Sequence, residues 1–377
     1  MVAPPLLTQR IARLTPLADA LASIDRLVAP VAPWRIGLAK AAGLTLAENI
    51  VNRYAHPGSP IALRDGIAIG ADATLDASSY APVRLDGAPA FVDVGDTLPS
   101  GTDAVASFEV VEVRERAVHA LTPLAPGDGV LLQAADAAPG DVLGRAGARL
   151  RASDVEALSV IGVSDVEVRD PVVCIAVANK GRDTVIEAIV RLLLRTVDAA
   201  GAHVLMAPPD SVGLGGALKQ PGGNAIILIG GSGSGRRDRS VSELARLGSV
   251  AFHGVGLAPG ETAAFGTIER RPVLVIPGRL DSALAVWLTL GRRMIARLCG
   301  RSDVEEWGTA VTLTRKIAST LGLVELVPVA REAGGVAPLA SGYLALQALA
   351  RSDGYVMVPA ESEGFAAGAR AEMRPWP

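Results

Sequence analysis

AIILIGGSGSGRRDRS, residues 225–240, runs from five consecutive apolar residues through a glycine-rich turn into a basic cluster that ends at Ser240. A strand exposed on one face alternates apolar with polar residues, whereas a strand covered on both faces is apolar throughout. The run 225–229 is therefore read as a buried strand in a sheet flanked by helices. The turn after it admits two readings. It is a mobile surface loop, or its backbone N–H groups cradle an anion at the entry to a helix. In the second reading Arg236, Arg237 and Arg239 add forked donors and Asp238 completes the site. The chain has no GxxxxGK[ST] and no GxGxxG after a strand, so neither a P-loop nor a dinucleotide fingerprint is present.

The same strand–turn–helix step recurs on both sides of this stretch. VVCIAVA (172–178) and HVLM (203–206) bracket a helical pattern near 184–199. A short helix is expected at 241–247, and VLVIPG (273–278) leads into a long helical pattern over 281–299. This rhythm predicts a parallel α/β domain over 171–302. In open α/β sheets, ligands bind at the carboxyl ends of the strands.

Further out, the texture changes. Ile11, Leu14, Leu17, Ala18, Leu21, Ile24 and Leu27 fall three or four apart, which predicts a helix with Pro16 at a bend or a new start. WRIGLAKAAGLTLAENI (34–50) reads as a second helix. From 56 to 139 short β-branched runs alternate with turns such as Asp86-Gly87 and Gly127-Asp128-Gly129, the pattern of a small β-domain. RASDVEALSVIGV (151–163) returns to helix with Ser153 as the expected N-cap. Residues 303–377 return to strands. The expected organisation is α/β plus β in several domains. A helical domain is split between 1–55 and 140–170, a β-domain is inserted at 56–139, an α/β domain spans 171–302, and a C-terminal β-domain spans 303–377. Loops 210–223 and 230–240 are the expected mobile segments.

Composition removes several classes. The chain has 377 residues, half of them apolar, which supplies several cores. Aromatics make up only 3%, too few for a base-stacking surface, and a net charge of −3 with mixed signs leaves no polyanion footprint. Nucleic acid is therefore not an expected partner. No apolar run reaches the length of a membrane span and no secretory leader is evident, so a cytoplasmic protein without a membrane partner is expected. Cys174 and Cys299 sit in apolar segments and read as buried thiols. The four histidines lack metal-ligand spacing.

Four further stretches are candidates, each with a plain alternative. ALRDGIAIG (62–70) is a hairpin turn or a site centred on Asp65. GDTLPSGTDAVASFE (95–109) is a loop running into an edge strand, or a ligand loop. NKGRDT (179–184) and IPGRLDSAL (276–284) are polar or proline-glycine steps at strand ends, where turn geometry alone explains much of the composition. Taken singly, none identifies a reaction.

In their order along the chain these pieces resemble the MoeA/gephyrin E-domain family of molybdopterin molybdenumtransferases. The resemblance covers essentially the whole chain. AGARLRASDVEALSVIGVSDVEV (146–168) is close to that family's AGTxLxxxDixxLaslGi stretch, and VAFHGVGLAPGETAAFGTI with VLVIPGRLDSAL to its PGkPxxfg…LPGNPvSal block. ALRDGIAIG is similar to S-x-MDGYA, with Asp65 in the aspartate position. Asp103 and Glu109 match P-x-G-x-[DC]-AVV-x-E. The opening glycine stretch falls where the family has SGGVSVGxxDYT, with Asp238 in the aspartate position.

The resemblance implies a homodimer in which adenylylated molybdopterin and molybdate meet with the help of Mg²⁺ at a site shared between subunits. Asp65 (from the partner subunit), Asp183 and Asp238 would be catalytic, with Asp183 and Asp238 also holding the metal. Gly230, Gly231, Ser232, Gly233, Gly235, Arg236, Pro277, Gly278 and Arg279 would hold the cofactor. An upstream adenylyltransferase and a recipient molybdoenzyme are the implied partners. Departures cluster at the same places. Arg182 replaces an acid, GGSGSG stands for GGVSVG, PGRL for PGNP, and Glu261 for a lysine. They motivate an alternative function, a non-catalytic carrier or chaperone that binds molybdopterin or the finished molybdenum cofactor.

Overall fold

The computed structural model describes residues 9–114, 117–178, 183–208, 213–218, 223–301 and 308–377. The chain divides into two compact units, one of Met1–Ala47, Gly147–Arg151 and Glu167–Pro377, the other of Glu48–Ala146 and Ala152–Val166. No helix among the described residues is long and apolar enough to cross a membrane.

In the first unit a six-stranded sheet contains β1 (Val172–Val177), β2 (His203–Met206), β3 (Ala225–Ile229), β4 (Ser249–His253), β5 (Ala264–Ile268) and β6 (Arg271–Ile276), in the order β2-β1-β3-β6-β5-β4. The first four in that order are parallel, while β5 and β4 add an antiparallel edge. The apolar runs have a direct explanation here. Ile227 and Ile229 point into the core beneath one face, Ile226 and Leu228 into the core beneath the other. Each fully buried Ile or Leu stabilises the fold by roughly 1.5–3 kcal/mol.

Helices cover both faces. Helix α1 (Leu17–Leu27) starts after Pro16, which serves as its N-cap, and buries Leu17, Ala20 and Ile24. Helix α2 (Ala152–Val160) belongs to the second unit. Helix α3 (Thr184–Ala199) follows β1; Ile189, Leu193 and Val197 bury against the same core as α1. Helix α4 (Gly213–Leu218) and helix α5 (Ser240–Leu247) bury Leu214, Ala217, Val241 and Leu244 on the opposite face. After β6 come α6 (Leu280–Val286), a π-turn over Trp287–Gly291 and α7 (Arg292–Leu298), one continuous apolar rod in the first core. A Cβ on Gly291 would fall 2.4 Å from the Trp287 ring, so glycine is what lets the indole lie on the turn.

The same unit carries a second mixed sheet after the helical rod, centred on the long strand Val324–Glu332 and its neighbour Gly354–Val358. It also holds α8 (Leu346–Arg351), a helix not expected from the sequence in this β-region. In the other unit Gly66–Ile69 is the central strand between Ala90–Val92 and Ala104–Ala106. A Cβ on Gly66 would sit 2.1 Å from the Ala106 carbonyl oxygen, so Asp65-Gly66 opens a strand that only glycine can enter.

Three expectations need correction. Residues 34–50 are not a helix but strands Trp34–Gly37 and Thr45–Leu46, a 3₁₀ turn at Leu38–Lys40 and a strand from Ile50. Trp34 and Arg35 are exposed there, and Gly43 takes a positive φ of 85°, which breaks any helix. Ser153 lies inside the first turn of α2 rather than ahead of it. Within 210–223, residues 213–218 form α4, while 209–212 and 219–222 fall outside the described residues.

Candidate functional site

The carboxyl ends of β1, β3 and β6 open on a cavity of about 710 Å³. Asp183, Ile186, Gly230, Gly231, Ser232, Gly233, Arg237, Asp238, Thr262, Pro277, Gly278 and Arg279 line it. Most of the site residues expected from sequence thus converge. Gly235 and Arg236 belong to the same loop but are not in the wall, and Arg236 is exposed. Asp65 lies in the other unit, where its Oδ1 accepts from the Val94 amide at 2.9 Å. Asn179 to Arg182 fall outside the described residues.

The glycine loop is held from behind, carbonyl by carbonyl. Gly230 O accepts from the Ser240 hydroxyl at 2.8 Å. Gly231 O accepts from the Gln9 side-chain amide at 2.7 Å and from the Ser240 amide at 3.1 Å. Ser232 O lies 2.8 Å from His253 Nε2, and Gly233 O accepts from Gln9 at 2.7 Å. The oxygen of the Gln9 carboxamide accepts in turn from the Val241 and Ser242 amides at the start of α5, at 3.0 and 3.2 Å. One side chain therefore ties three segments together. The loop expected to be mobile is a braced turn.

With the carbonyls facing back, the amides of Gly231, Ser232, Gly233 and Ser234 donate to no group among the described residues. Gly230 and Gly231 take φ values of 86° and 68°, the left-handed region that makes this reversal possible and that glycine enters without strain. Successive unpartnered amides on a concave turn form an anion site. The Ser232 hydroxyl is fixed by Thr262 Oγ1 at 3.0 Å.

The carboxylates near the cavity have structural duties. Asp183 caps α3, its Oδ1 accepting from the Val185 and Ile186 amides. Asp238 Oδ2 accepts from the Gly235 amide at 2.9 Å and closes the loop. Among the described residues, Asp183 Oδ2 and Asp238 Oδ1 have no hydrogen-bond partner. Arg279 forks onto Asp281, Nε to Oδ1 at 3.2 Å and Nη2 to Oδ2 at 2.9 Å. Burial alone would raise the Asp281 carboxyl. The Arg279 fork and the Ser282 amide and hydroxyl outweigh it and hold the group below its usual value. Among the described residues no group of three or more His, Cys, Asp or Glu stands close enough to hold a metal ion. The thiols of Cys174 and Cys299 are buried and pushed up by burial, as expected of inert cysteines.

Gln9, Ser240, His253 and Thr262 were not singled out from the sequence as site residues. Ser240 at a helix start is the one with a local signal; the others are brought in by tertiary packing alone.

Comparison with known proteins agrees with the architecture. The MoeA N-terminal region (domain I and II) matches residues 15–162, the "Probable molybdopterin binding domain" matches 159–297, and the MoeA C-terminal region (domain IV) matches 310–376. A molybdopterin molybdenumtransferase of Haemophilus influenzae is 24% identical over 313 residues, covering 74% of this chain and 76% of that protein. Molybdopterin molybdenumtransferase 1 of Mycobacterium tuberculosis is 26% identical over 418 residues, covering 89% and 93%. The crystal structure of a molybdopterin biosynthesis moeA protein from Pyrococcus horikoshii shares the fold, with a TM-score of 0.76 at 23% identity over 97% of this chain and all of that one. The chain belongs to the MoeA family, whose work is molybdenum cofactor biosynthesis.

Proposed function

We propose that the cavity at the ends of β1, β3 and β6 binds a phosphorylated, molybdopterin-type ligand, and that the chain acts in inserting molybdate into it. The observation that carries this reading is that Gly231, Ser232 and Gly233 line the cavity with amides that donate to no group among the described residues, on a loop braced by Gln9, Ser240 and His253. A hydrogen bond from an amide to a charged phosphate oxygen contributes roughly 1.5–3 kcal/mol when both are otherwise unpartnered. Arg237 adds a cation at the rim. Pro277 and Gly278 also line the cavity, and Gly278 stands beside Gly230, where a Cβ on it would lie 3.6 Å from the Gly230 Cα.

Magnesium fits this reading only as a companion of the ligand. Asp183 Oδ2 and Asp238 Oδ1 are two hard donors, too few for a resident ion, and Mg²⁺ is commonly held by one or two carboxylates plus substrate phosphates. When bound, the ion would neutralise phosphate and molybdate charge. The loop amides, with Arg237 at the rim, hold the ligand and fix its orientation. Asp65 enters this reading as the contribution of the partner subunit in a homodimer.

A second reading is binding without turnover. It is favoured by the capping role of Asp183 and the loop-closing role of Asp238, which leave each only one oxygen for chemistry. Calorimetry with molybdopterin, with and without Mg²⁺ and molybdate, on the wild type and Asp238→Ala separates the two. Binding strengthened by Mg²⁺ and molybdate and weakened in the variant supports insertion. Tight binding indifferent to both supports a carrier, and no binding at all removes the cradle.

A further inference from the structure

We propose that a second cavity, at the far end of α3 from the cradle, binds a small aromatic carboxylate. The cavity is about 280 Å³ and lies wholly within the first unit. Arg149, Arg292, Arg301 and Arg374 line it together with Trp287 and Trp376, and no acidic side chain among the described residues stands in its wall. Asp183 caps the start of α3 at the cradle, whereas Thr196 and Ala199 near the end of the same helix belong to this cavity. At the ~1.5 Å rise per residue of an α-helix, the two places stand about 20 Å apart. The sites are separate, and neither ligand needs the other.

Two buried donors in the wall call for an occupant. Trp287 is 1% exposed, and its indole Nε1 has no hydrogen-bond partner among the described residues. A buried indole N–H ordinarily finds one, as Trp376 does by donating to Ser352 Oγ at 2.8 Å. Arg301 Nε is buried and unpartnered as well. Two of the other arginines are already engaged. Arg149 donates to the Gly43 and Asp198 carbonyls at 2.7 and 3.1 Å and ties down the end of α3, and Arg374 meets Glu372 at 3.4 Å. An N–H held away from water without a partner is costly, so an acceptor inside the cavity is favoured. With cations in the wall and no acid, that acceptor is an anion, and the guanidinium fork matches a carboxylate. The remaining wall is apolar. Leu288 and Pro375 belong to it, and the Trp376 ring is held against Tyr355 at 4.8 Å between centroids. A bare inorganic oxyanion would leave this part of the space empty. A flat ring carrying a carboxylate fills it, and the volume is close to the lower end of small-molecule pockets.

The test is calorimetry on the full chain with 2-naphthoate as the probe, and with 2-naphthamide and acetate as its uncharged and ringless counterparts. One 2-naphthoate should bind per chain, at least tenfold more tightly than either counterpart. Arg301→Met should weaken it at least tenfold and Arg301→Lys by less, and neither should change the affinity for inorganic phosphate. In ¹H–¹⁵N spectra the Trp287 indole signal, identified as the one of four that is lost in Trp287→Phe, should move downfield as 2-naphthoate saturates the wild type. That shift is read on the unaltered chain, so it decides the matter even where an Arg301 variant fails to fold. No binding of 2-naphthoate overturns the proposal, and so does 2-naphthamide or acetate that binds as tightly. An affinity unchanged in folded Arg301→Met, or a Trp287 indole signal that stays in place, overturns it equally. If inorganic phosphate displaces 2-naphthoate competitively, the probe sits in the cradle and the second site falls.

Discussion

Gln9 reaches Gly233 across the length of the N-terminal and α/β segments, its side-chain amide donating to the Gly233 carbonyl at 2.7 Å. The same carboxamide makes three further hydrogen bonds, to Gly231 O and from the Val241 and Ser242 amides. All four of its polar positions on this face are engaged, and none touches the cavity. Its effect on a ligand is through the loop alone. Gln9→Ala is expected to lower stability by about 1–3 kcal/mol through the carbonyls and amides left without partners. It should also weaken phosphate binding roughly tenfold, as the amides lose their common direction. Gln9→Glu keeps the acceptor for α5 but loses both donors, so it should retain the helix and still loosen the loop. Amide exchange over 230–242 with calorimetry reads both effects; unchanged exchange in Gln9→Ala would refute the bracing role.

Gly231 has a separate requirement. Its φ of 68° is strained for any other residue, and a Cβ there would lie 2.4 Å from Ser240 Oγ and 3.1 Å from the Ala178 Cβ. Gly231→Ala should destabilise the fold by roughly 1–3 kcal/mol in urea unfolding. Ser240 would be pushed off Gly230 O, so ligand affinity should fall further than in Gln9→Ala. A variant as stable as the wild type would mean that the loop does not need this geometry.

Much of this architecture is legible in the sequence because local patterns decide it. The apolar runs of β1, β3 and β6 and the 3.6 periodicity of α3 are short-range signals, and the glycines that follow the strands mark where a ligand can approach. The brace is not legible. Gln9 lies 222 residues from Gly231, and nothing about a glutamine in a polar stretch announces four hydrogen bonds. Residues 34–50 mislead for the opposite reason. Their apolar spacing suits a helix, but pairing of Leu46 with Val168 and Thr45 with Arg169 settles them as strand, and a partner more than a hundred positions away is invisible to a local window. Asp183 and Asp238 were expected as ligand groups from their places in the motifs. The helix cap made by Asp183 and the loop closure made by Asp238 emerge only from the folded backbone.

The Arg279–Asp281 fork and the bidentate Arg293–Asp25 pair, at 2.7 Å for both oxygens, are expected to contribute to stability in acid. The hydrogen bond from Arg293 holds the Asp25 carboxyl below its usual value, as the Arg279 fork and Ser282 hold Asp281 against burial. A depressed carboxylate stabilises the fold above its unfolded pKa of about 3.9 and loses that contribution as pH falls through the lower folded value. Both contributions should therefore be complete at neutral pH and disappear below about pH 4. Asp281→Asn is expected to cost about 1–2 kcal/mol at pH 7, a modest figure because Arg279 is largely exposed. The difference from wild type should shrink toward zero at pH 3. Urea unfolding at the two pH values measures it, and a difference that grows on acidification would reverse the assigned sign.

Asp238 separates the ligand-borne magnesium from the bare cradle. Asp238→Asn keeps an acceptor for the Gly235 amide, so the loop should hold its shape, with a melting temperature within about 2 °C of wild type. Removing the negative charge beside the phosphate site should leave Mg²⁺-free phosphate binding unchanged or a few-fold tighter. Any strengthening of binding by Mg²⁺ should be lost. Equal Mg²⁺ dependence in wild type and Asp238→Asn would remove Asp238 from the metal.

Asp65 and Asp238 test whether one site draws on two subunits. If Asp65 completes the cradle of a partner, neither Asp65→Ala nor Asp238→Ala alone should convert adenylylated molybdopterin with molybdate. Unfolding the two variants together and refolding them would give dimers of random composition. In a mixed dimer one cradle carries both substitutions and the other carries neither. About a quarter of wild-type turnover should return, since half of the dimers are mixed and each has one intact site of two. A site built within one chain would give no recovery, because each mixed dimer would then hold one defect in each site. Sedimentation of the mixture must show a dimer for the comparison to hold, and a monomeric wild type would end the shared-site reading at once.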